Sequence, residues 1–384
     1  MDILISGASV AGPALAYWLN RNGHRTTIVE RAPALREGGH SVDFRGHAHL
    51  GVLRKMGILE EVERNSTRMG AMSYVNSEGR PIARMPADLF AGDIEIQRGD
   101  LAKILYNLTK DRTEYVFGDS IASLTQDANG VAVTFERTPT RRFDLVIGAD
   151  GVHSKVRSLA FGPEERFVTG LGLNCAVFTT RNHLGLEYTG HLYMTPRRLA
   201  GLYTTRHNTE AKAMFYFPAV AYDRHDTGQQ KKIIAEQYAG GGWILDRLIE
   251  DLWEADDLYF DAVCQVRMDS WSNGRVALLG DAAWCASPLS GMGTGLAMVG
   301  AYVLAGELGR GVDGAFERYE AAMRDYVRGC QKSGEGVAQW MVPSSKFVAW
   351  LLRVNYKLIP YAPWKGLIAK GVRKTAEAIT LQDY

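Results

Sequence analysis

A chain of 384 residues, 46% of them hydrophobic, is long enough for two or three packed units with sizeable cores. Its formal charge of +1 gives no reason to expect a nucleic acid or an anionic membrane as partner. Cys175, Cys264, Cys285 and Cys330 are scattered without metal-ligand spacing, so no metal site is expected and the thiols suit a reducing, cytoplasmic compartment.

Asp2-Ile3-Leu4-Ile5 is a short apolar run that predicts a buried parallel strand. Its Asp2 stands where a signal peptide would be basic, and no apolar run in the chain is long enough to span a bilayer. Gly7 to Gly12 reads as a tight turn into a helix, and Thr26 to Glu30 as a second strand with an acid at its end. A pyrophosphate suits that helix N-terminus, where free N–H groups and the dipole favour negative charge. Glu30 stands near the distance at which an acid accepts hydrogen bonds from an adenosine ribose, which disfavours NADP in this site. Ser9 replaces the middle glycine of G-x-G-x-x-G. For this segment alone, a strand, turn and helix with no ligand remains an alternative.

Phe143 to Ala149 predicts a further strand, ending at Asp150-Gly151 and followed by Ser154 and Arg157 at helical spacing. Residues 166–260 change texture: Gly190 to Met194, Leu199 to Thr205 and Ala213 to Phe217 predict antiparallel strands. Arg275 to Leu279 predicts a strand leading into Gly280-Asp281, where the acid suits the ribityl hydroxyls of a flavin. Ser287 to Gly295 then opens a helix from about Thr294 to Gly309. The N–H groups at its start suit a flavin ring edge that becomes anionic on reduction. Ala315 to Gln339 predicts one long helix, and residues 337–370 are rich in aromatic side chains. That tail is expected to pack across the other units, with a membrane-surface helix as the alternative.

In combination and order, these segments resemble the class A flavoprotein monooxygenases, the aromatic hydroxylases similar to para-hydroxybenzoate hydroxylase. The likeness is strongest to the branch that hydroxylates tetracyclines and other polyketide antibiotics, and it covers about residues 1–330. Gly38 to Gly46 and Ile96 to Leu101 fit as further pieces of it. It implies an α/β fold: a glutathione reductase-type, Rossmann-like FAD domain (1–70, 97–165 and 261–312) with an interleaved antiparallel-sheet substrate domain (71–96 and 166–260). A C-terminal helical segment (313–384) would bridge both.

The resemblance also implies FAD contacts at Gly7, Ser9, Val10, Ala11, Gly12, Glu30, Arg31, Asp43, Arg45, Arg98, Ile121, Asp150, Gly151, Asp281, Pro288, Gly291, Gly293, Thr294 and Gly295. The Gly293 and Thr294 backbone would meet the flavin N1 anion, and Met194, Tyr203, Phe215, Phe217 and Leu289 are candidates for lining the substrate cavity. The implied reaction uses NADPH or NADH and O₂ to form a flavin C4a-hydroperoxide that hydroxylates an aromatic or polycyclic small molecule. No other catalytic side chain is singled out, because the flavin carries the chemistry. A monomer or a homodimer is expected, without stable membrane association. The alternative is a flavin-dependent reductase or oxidase on the same scaffold. Two departures stand out: the family often has His where this chain has Trp284, and Asn where it has Gly295.

Overall fold

The computed structural model describes residues 1–36, 38–87, 92–343, 345, 347–348, 351, 371 and 373–384. Asp2–Ser6 is a buried strand flanked by parallel partners on both sides, Arg25–Glu30 and Leu145–Gly148. Thr113–Phe117 and Val276–Leu278 extend this sheet, and the antiparallel Ser272–Asn273 closes one edge. Buried on both faces, such strands need no polar alternation, which is why the first reads as a plain apolar run.

The helix Ala11–Arg21 packs against Gly293–Gly309 over this sheet, with Trp18 edge-on to Tyr302 at 4.9 Å. Gly293–Gly309 is buried almost throughout from Gly295 to Leu308, as expected of a helix that is apolar all round.

A second sheet runs in the order Tyr259–Val266, Val168–Thr180, Glu210–Pro218, Arg198–Thr205, Gly190–Thr195, Met72–Val75, Pro81–Met85. The early hairpin at 72–85 joins it through a parallel pairing of Met72–Val75 with Gly190–Thr195. The strand Tyr259–Val266 runs across the boundary expected at 260/261, so the chain returns to the first sheet only after it.

Another difference lies at 121–143, inside the range 97–165 expected to belong to the Rossmann-like unit. Ile121–Asp127, Gly130–Phe135 and Arg141–Phe143 form a separate antiparallel sheet. The Asp127 carboxylate accepts from the Asn129 N–H at 2.7 Å, and Gly130 takes φ +141°, so the local turn chemistry folds the chain back at once.

The side-chain alternation of the second sheet decides what its two faces do. Phe178, Phe215 and Phe217 lie under the helices Thr227–Tyr238 and Leu245–Glu254, with Tyr238, Leu248 and Leu252. Met194, Tyr203 and Tyr216 lie on the other face, with Leu289, Met341 and Val342 packed against them. Phe215 and Phe217 are therefore corrected from cavity lining to core: strand parity turns them away from the cleft side.

The C-terminal helix runs Ala315–Met341. Pro343 then accepts from the Arg197 N–H at 2.7 Å, on the second sheet. The end of the chain docks on the first unit, where the Tyr302 hydroxyl donates to the Gln382 carbonyl at 2.6 Å and Tyr384 to Glu307 at 2.8 Å. Trp350, Tyr356, Tyr361 and Trp364 of the aromatic tail lie outside the described residues. Among the described residues, no helix is long and apolar enough to cross a membrane.

Candidate active site

The parallel register brings the sequence motifs together. Ser6 stands opposite Gly148, and Gly148 opposite Leu278, so three strands end at one edge and feed the turns at Gly7, Asp150 and Asp281. Crevices outside the carboxyl ends of such strands are where open α/β sheets bind ligands. Here that crevice is a cleft of ≈ 470 Å³.

The first turn is shaped for close approach. Gly7 takes φ +110°, and a Cβ there would lie 2.4 Å from the Ala149 carbonyl oxygen. A Cβ at Gly12 would lie 2.0 Å from the Gly7 oxygen, so only glycine lets the helix sit this near the strand. Val10 makes no side-chain cap, which leaves the first N–H groups of Ala11–Arg21 for a ligand. Glu30 accepts from the Ala8 and Ala32 N–H groups, both at 2.9 Å, which fixes its carboxylate beside the turn. Ser9, the departure from the glycine pattern, accepts from Arg98 Nη1 at 2.9 Å. Arg98 begins the helix Arg98–Thr109, and its bond to Ser9 sets its guanidinium beside the turn in the cleft lining.

The second turn works differently. The Asp150 carboxylate accepts from the Lys155 and Val156 N–H groups at 2.9 and 3.1 Å and from the Ser154 hydroxyl, so it caps the helix Lys155–Phe161. Desolvation raises its pKa. Arg157, buried, donates to the Ala282 carbonyl at 3.0 Å and to the Val152 carbonyl at 2.6 Å. That contact ties the second turn to the third.

In the third turn Asp281 opens onto the cleft, and the surrounding protein raises its pKa by desolvation against a weaker opposing bond from Cys285. Ser287 takes φ +79°, a strained value for a residue with a side chain, and its hydroxyl accepts from the Leu289 N–H at 3.2 Å. The helix Gly293–Gly309 has no side-chain cap either, and Gly293 and Thr294 line the cleft.

Of the residues expected to hold a cofactor, Gly7, Ser9, Val10, Ala11, Glu30, Arg31, Asp43, Arg98, Asp150, Gly151, Asp281, Pro288, Gly291, Gly293 and Thr294 line this one cleft. Four others do not. Gly12 packs helix on strand, and Arg45 pairs with Asp43 at 3.0 Å beside Gly291. Ile121 is fully buried in its strand, where its neighbours Asp119 and Ser120 reach the cleft instead. Gly295 lies against His49, whose Nδ1 would be 2.0 Å from a Cβ at 295.

The departure at 284 also has a packing account. Trp284 is buried in the core, edge-on to Trp271 at 4.6 Å, while Cys285 takes the place at the cleft wall.

Sequence reasoning passed over several cleft residues. His40 is held neutral, its pKa pushed down to about 4 by desolvation and by Arg98, and its ring lies 5.6 Å from Tyr259. His153 joins the two sheets: Nδ1 lies 2.9 Å from Glu164 and Nε2 3.2 Å from Asp261, and Asp261 also accepts from the Tyr222 hydroxyl at 2.6 Å. The hydrogen bond with Asp261 is the main cause that raises the His153 pKa. Both histidines sit inside motif segments, but only the fold reveals their partners.

The match to known proteins agrees with this geometry. A family model described as an FAD binding domain matches residues 1–340. A flavin-dependent monooxygenase of Legionella longbeachae is 37% identical, covering 88% of this chain and 89% of its own length. The chain belongs to the FAD-dependent monooxygenases of class A. A Mycobacterium tuberculosis protein, Rv1260, is 45% identical, over 85% of this chain and 90% of its own. The crystal structure of tetracycline destructase Tet(55) superposes with a TM-score of 0.86 at 35% identity, covering 100% of this chain and 98% of that one. The cleft of this monooxygenase fits its cofactor: two helix N-termini without side-chain caps, a glycine-lined turn, Arg98 and the acids Glu30 and Asp281 line one space.

Proposed function

We propose that this monooxygenase uses NADH or NADPH and O₂ to hydroxylate an aromatic or polycyclic, polyketide-like small molecule. The observation that carries the reading is the continuity of the cleft: it runs from the dinucleotide turn to Tyr259 on the second sheet, whose same face bears Met194, Tyr203 and Tyr216. That face is packed under Leu289, Met341 and Val342 beside the cleft, and its tyrosine edges and adaptable methionines are a chemistry suited to a planar, electron-rich ligand. The similarity to a tetracycline destructase supports a polycyclic one.

FAD, when bound, supplies the redox chemistry between the nicotinamide and O₂. The chain's own residues bind, orient and exclude water. Glu30 would accept from the adenosine ribose, while Arg98 and the start of Ala11–Arg21 would hold the phosphates. Asp281 would accept from the ribityl chain, and the Gly293 and Thr294 N–H groups would stabilise negative charge at the ring edge. The first sheet and its helices would form the FAD unit, and the second sheet the substrate unit, bridged by the C-terminal segment. The four described cysteines are buried and free of disulfides, which suits a reducing, cytoplasmic setting.

The test is NADPH or NADH oxidation under isotopically labelled O₂ with a panel of tetracyclines and other polycyclic phenols. The reading expects one compound to speed nicotinamide oxidation and to gain one labelled oxygen atom. Peroxide as the sole oxygen product across the panel would favour a reductase or oxidase instead.

A further inference from the structure

Beside the cleft, Ser41–Phe44 pairs with Ile94–Gln97 in a two-stranded antiparallel ribbon. Val42, Phe44, Ile94 and Ile96 turn one face of this ribbon into the core. The register therefore puts Asp43 directly opposite Glu95 on the other face. Two carboxylates in that relation repel each other, and in a partly desolvated wall the repulsion is strong.

Their surroundings are unequal. Asp43 accepts from Arg45 Nη2 at 3.0 Å and from the Gly92 N–H at 2.8 Å, and these contacts oppose the burial that raises its pKa. Glu95 is bonded by hydroxyls, with Thr67 Oγ1 at 2.5 Å and Ser41 beside it, and the Tyr203 phenol faces it from the second sheet. Arg45 is a cation set against both carboxylates, and Gly291 of the third turn lies against both Asp43 and Arg45.

We propose that Asp43 and Glu95 share a single proton at neutral pH, carried by Glu95, and act as a positioning pair that keeps this wall of the cleft uncharged when FAD binds. With one proton the two carboxyls and Arg45 sum to zero; without it they sum to −1, next to a site for an anionic cofactor. Burial and the Asp43 charge push Glu95 up to about 7, in agreement with that placement. Asp43 and Gly291 line the cleft where FAD would approach, and Glu95 stands opposite Asp43 in the register, while Gln97 links Ser41 to Thr205 of the second sheet by bonds of 2.7 and 2.5 Å. The inference rests on FAD occupying the cleft and is independent of which substrate is oxidised.

The experiment has two arms. An infrared titration of the protein as purified should show a protonated carboxyl stretch that disappears as pH rises through about 7 and is missing from Glu95→Gln. No such band, or its survival in Glu95→Gln, overturns the proposal. FAD affinity measured by fluorescence should then weaken at least about threefold from pH ~6 to ~8 in the wild type and stay flat in Glu95→Gln. Equal slopes in both proteins overturn it too. If Glu95→Gln does not fold, Thr67→Val replaces it: loss of the donor to Glu95 should raise the infrared midpoint, and an unmoved midpoint counts against the pair. If no FAD binds at any pH, the cofactor assignment fails while the infrared arm still decides the shared proton.

Discussion

The Arg157 guanidinium donates to the carbonyl oxygen of Ala282 over 3.0 Å, joining two turns that are far apart in the chain. It is buried, and its second bond goes to Val152, in the turn that Asp150 begins. Asp281 precedes Ala282, so Arg157 fixes the backbone from which that carboxylate reaches the cleft. Arg157 holds the Asp150 and Asp281 turns in one geometry from outside the cleft lining.

Arg157→Gln should lower stability by about 1.5–3 kcal/mol, the worth of hydrogen bonds to a charged group. It should also weaken FAD binding through Asp281. Thermal melts and FAD titration check both; a melt that falls with FAD affinity untouched would show that Asp281 is held by something else.

Gly295→Ala should destabilise by about 1–3 kcal/mol, because a methyl group there meets the His49 ring. His49 has little room to yield. Its Nδ1 accepts from the Arg45 N–H at 3.0 Å and its Nε2 lies 2.7 Å from the Tyr326 hydroxyl. Burial pushes its pKa down to about 3, so it stays neutral in these bonds. The double variant His49→Ala/Gly295→Ala should lose less than the sum of the single losses, as expected of residues in contact. Strict additivity in urea unfolding would refute the steric account.

His153 gives a pH dependence with a definite sign. Its folded pKa lies above the ordinary 6.5, chiefly through Asp261, so its contribution is fully present below 6.5 and is lost as pH rises through the folded value. Asp261 has a lowered pKa and works the other way: its contribution is present above the ordinary 3.8 and is lost as pH falls through the lowered value. The melting temperature should therefore decline from mildly acid to alkaline pH, and His153→Gln should flatten that decline. Parallel curves for the two proteins would mean that the contact between the sheets is not the titrating element.

Glu30→Ala should weaken FAD binding about tenfold or more while the fold stays intact, since a charge-assisted hydrogen bond is worth about 1.5–3 kcal/mol. Circular dichroism and equilibrium dialysis separate the two effects. Unchanged affinity would mean that Glu30 serves only the Ala8 and Ala32 N–H groups it already holds.

Much of the cofactor side was legible because its signals are local. A glycine at a tight turn, an acid at a strand end and a glycine run before a helix each follow from backbone physics within a few residues. The parallel register then brought Gly7, Asp150 and Asp281 to one edge, as the strand pattern implied.

What the sequence hid was pairing over long distances. Nothing near Gly295 says that His49 will lie on it, or that Tyr326 will hold His49 in turn. Alternation told that Phe215 and Phe217 share one face and Met214 and Tyr216 the other, but not which face looks toward the cleft. Two helices, Thr227–Tyr238 and Leu245–Glu254, settled that by covering the phenylalanines. The antiparallel sheet at 121–143 was missed because its short strands resemble parallel ones until the Asn129-Gly130 turn is given weight.

Whether these turns form one FAD site is read from the FAD content of the purified protein after gel filtration, by its visible flavin absorbance. The account predicts one FAD per chain in the wild type and a loss of about tenfold or more in affinity for Asp281→Ala. A wild-type protein that retains no flavin after incubation with FAD, or an Asp281→Ala protein that retains it as tightly, would contradict it.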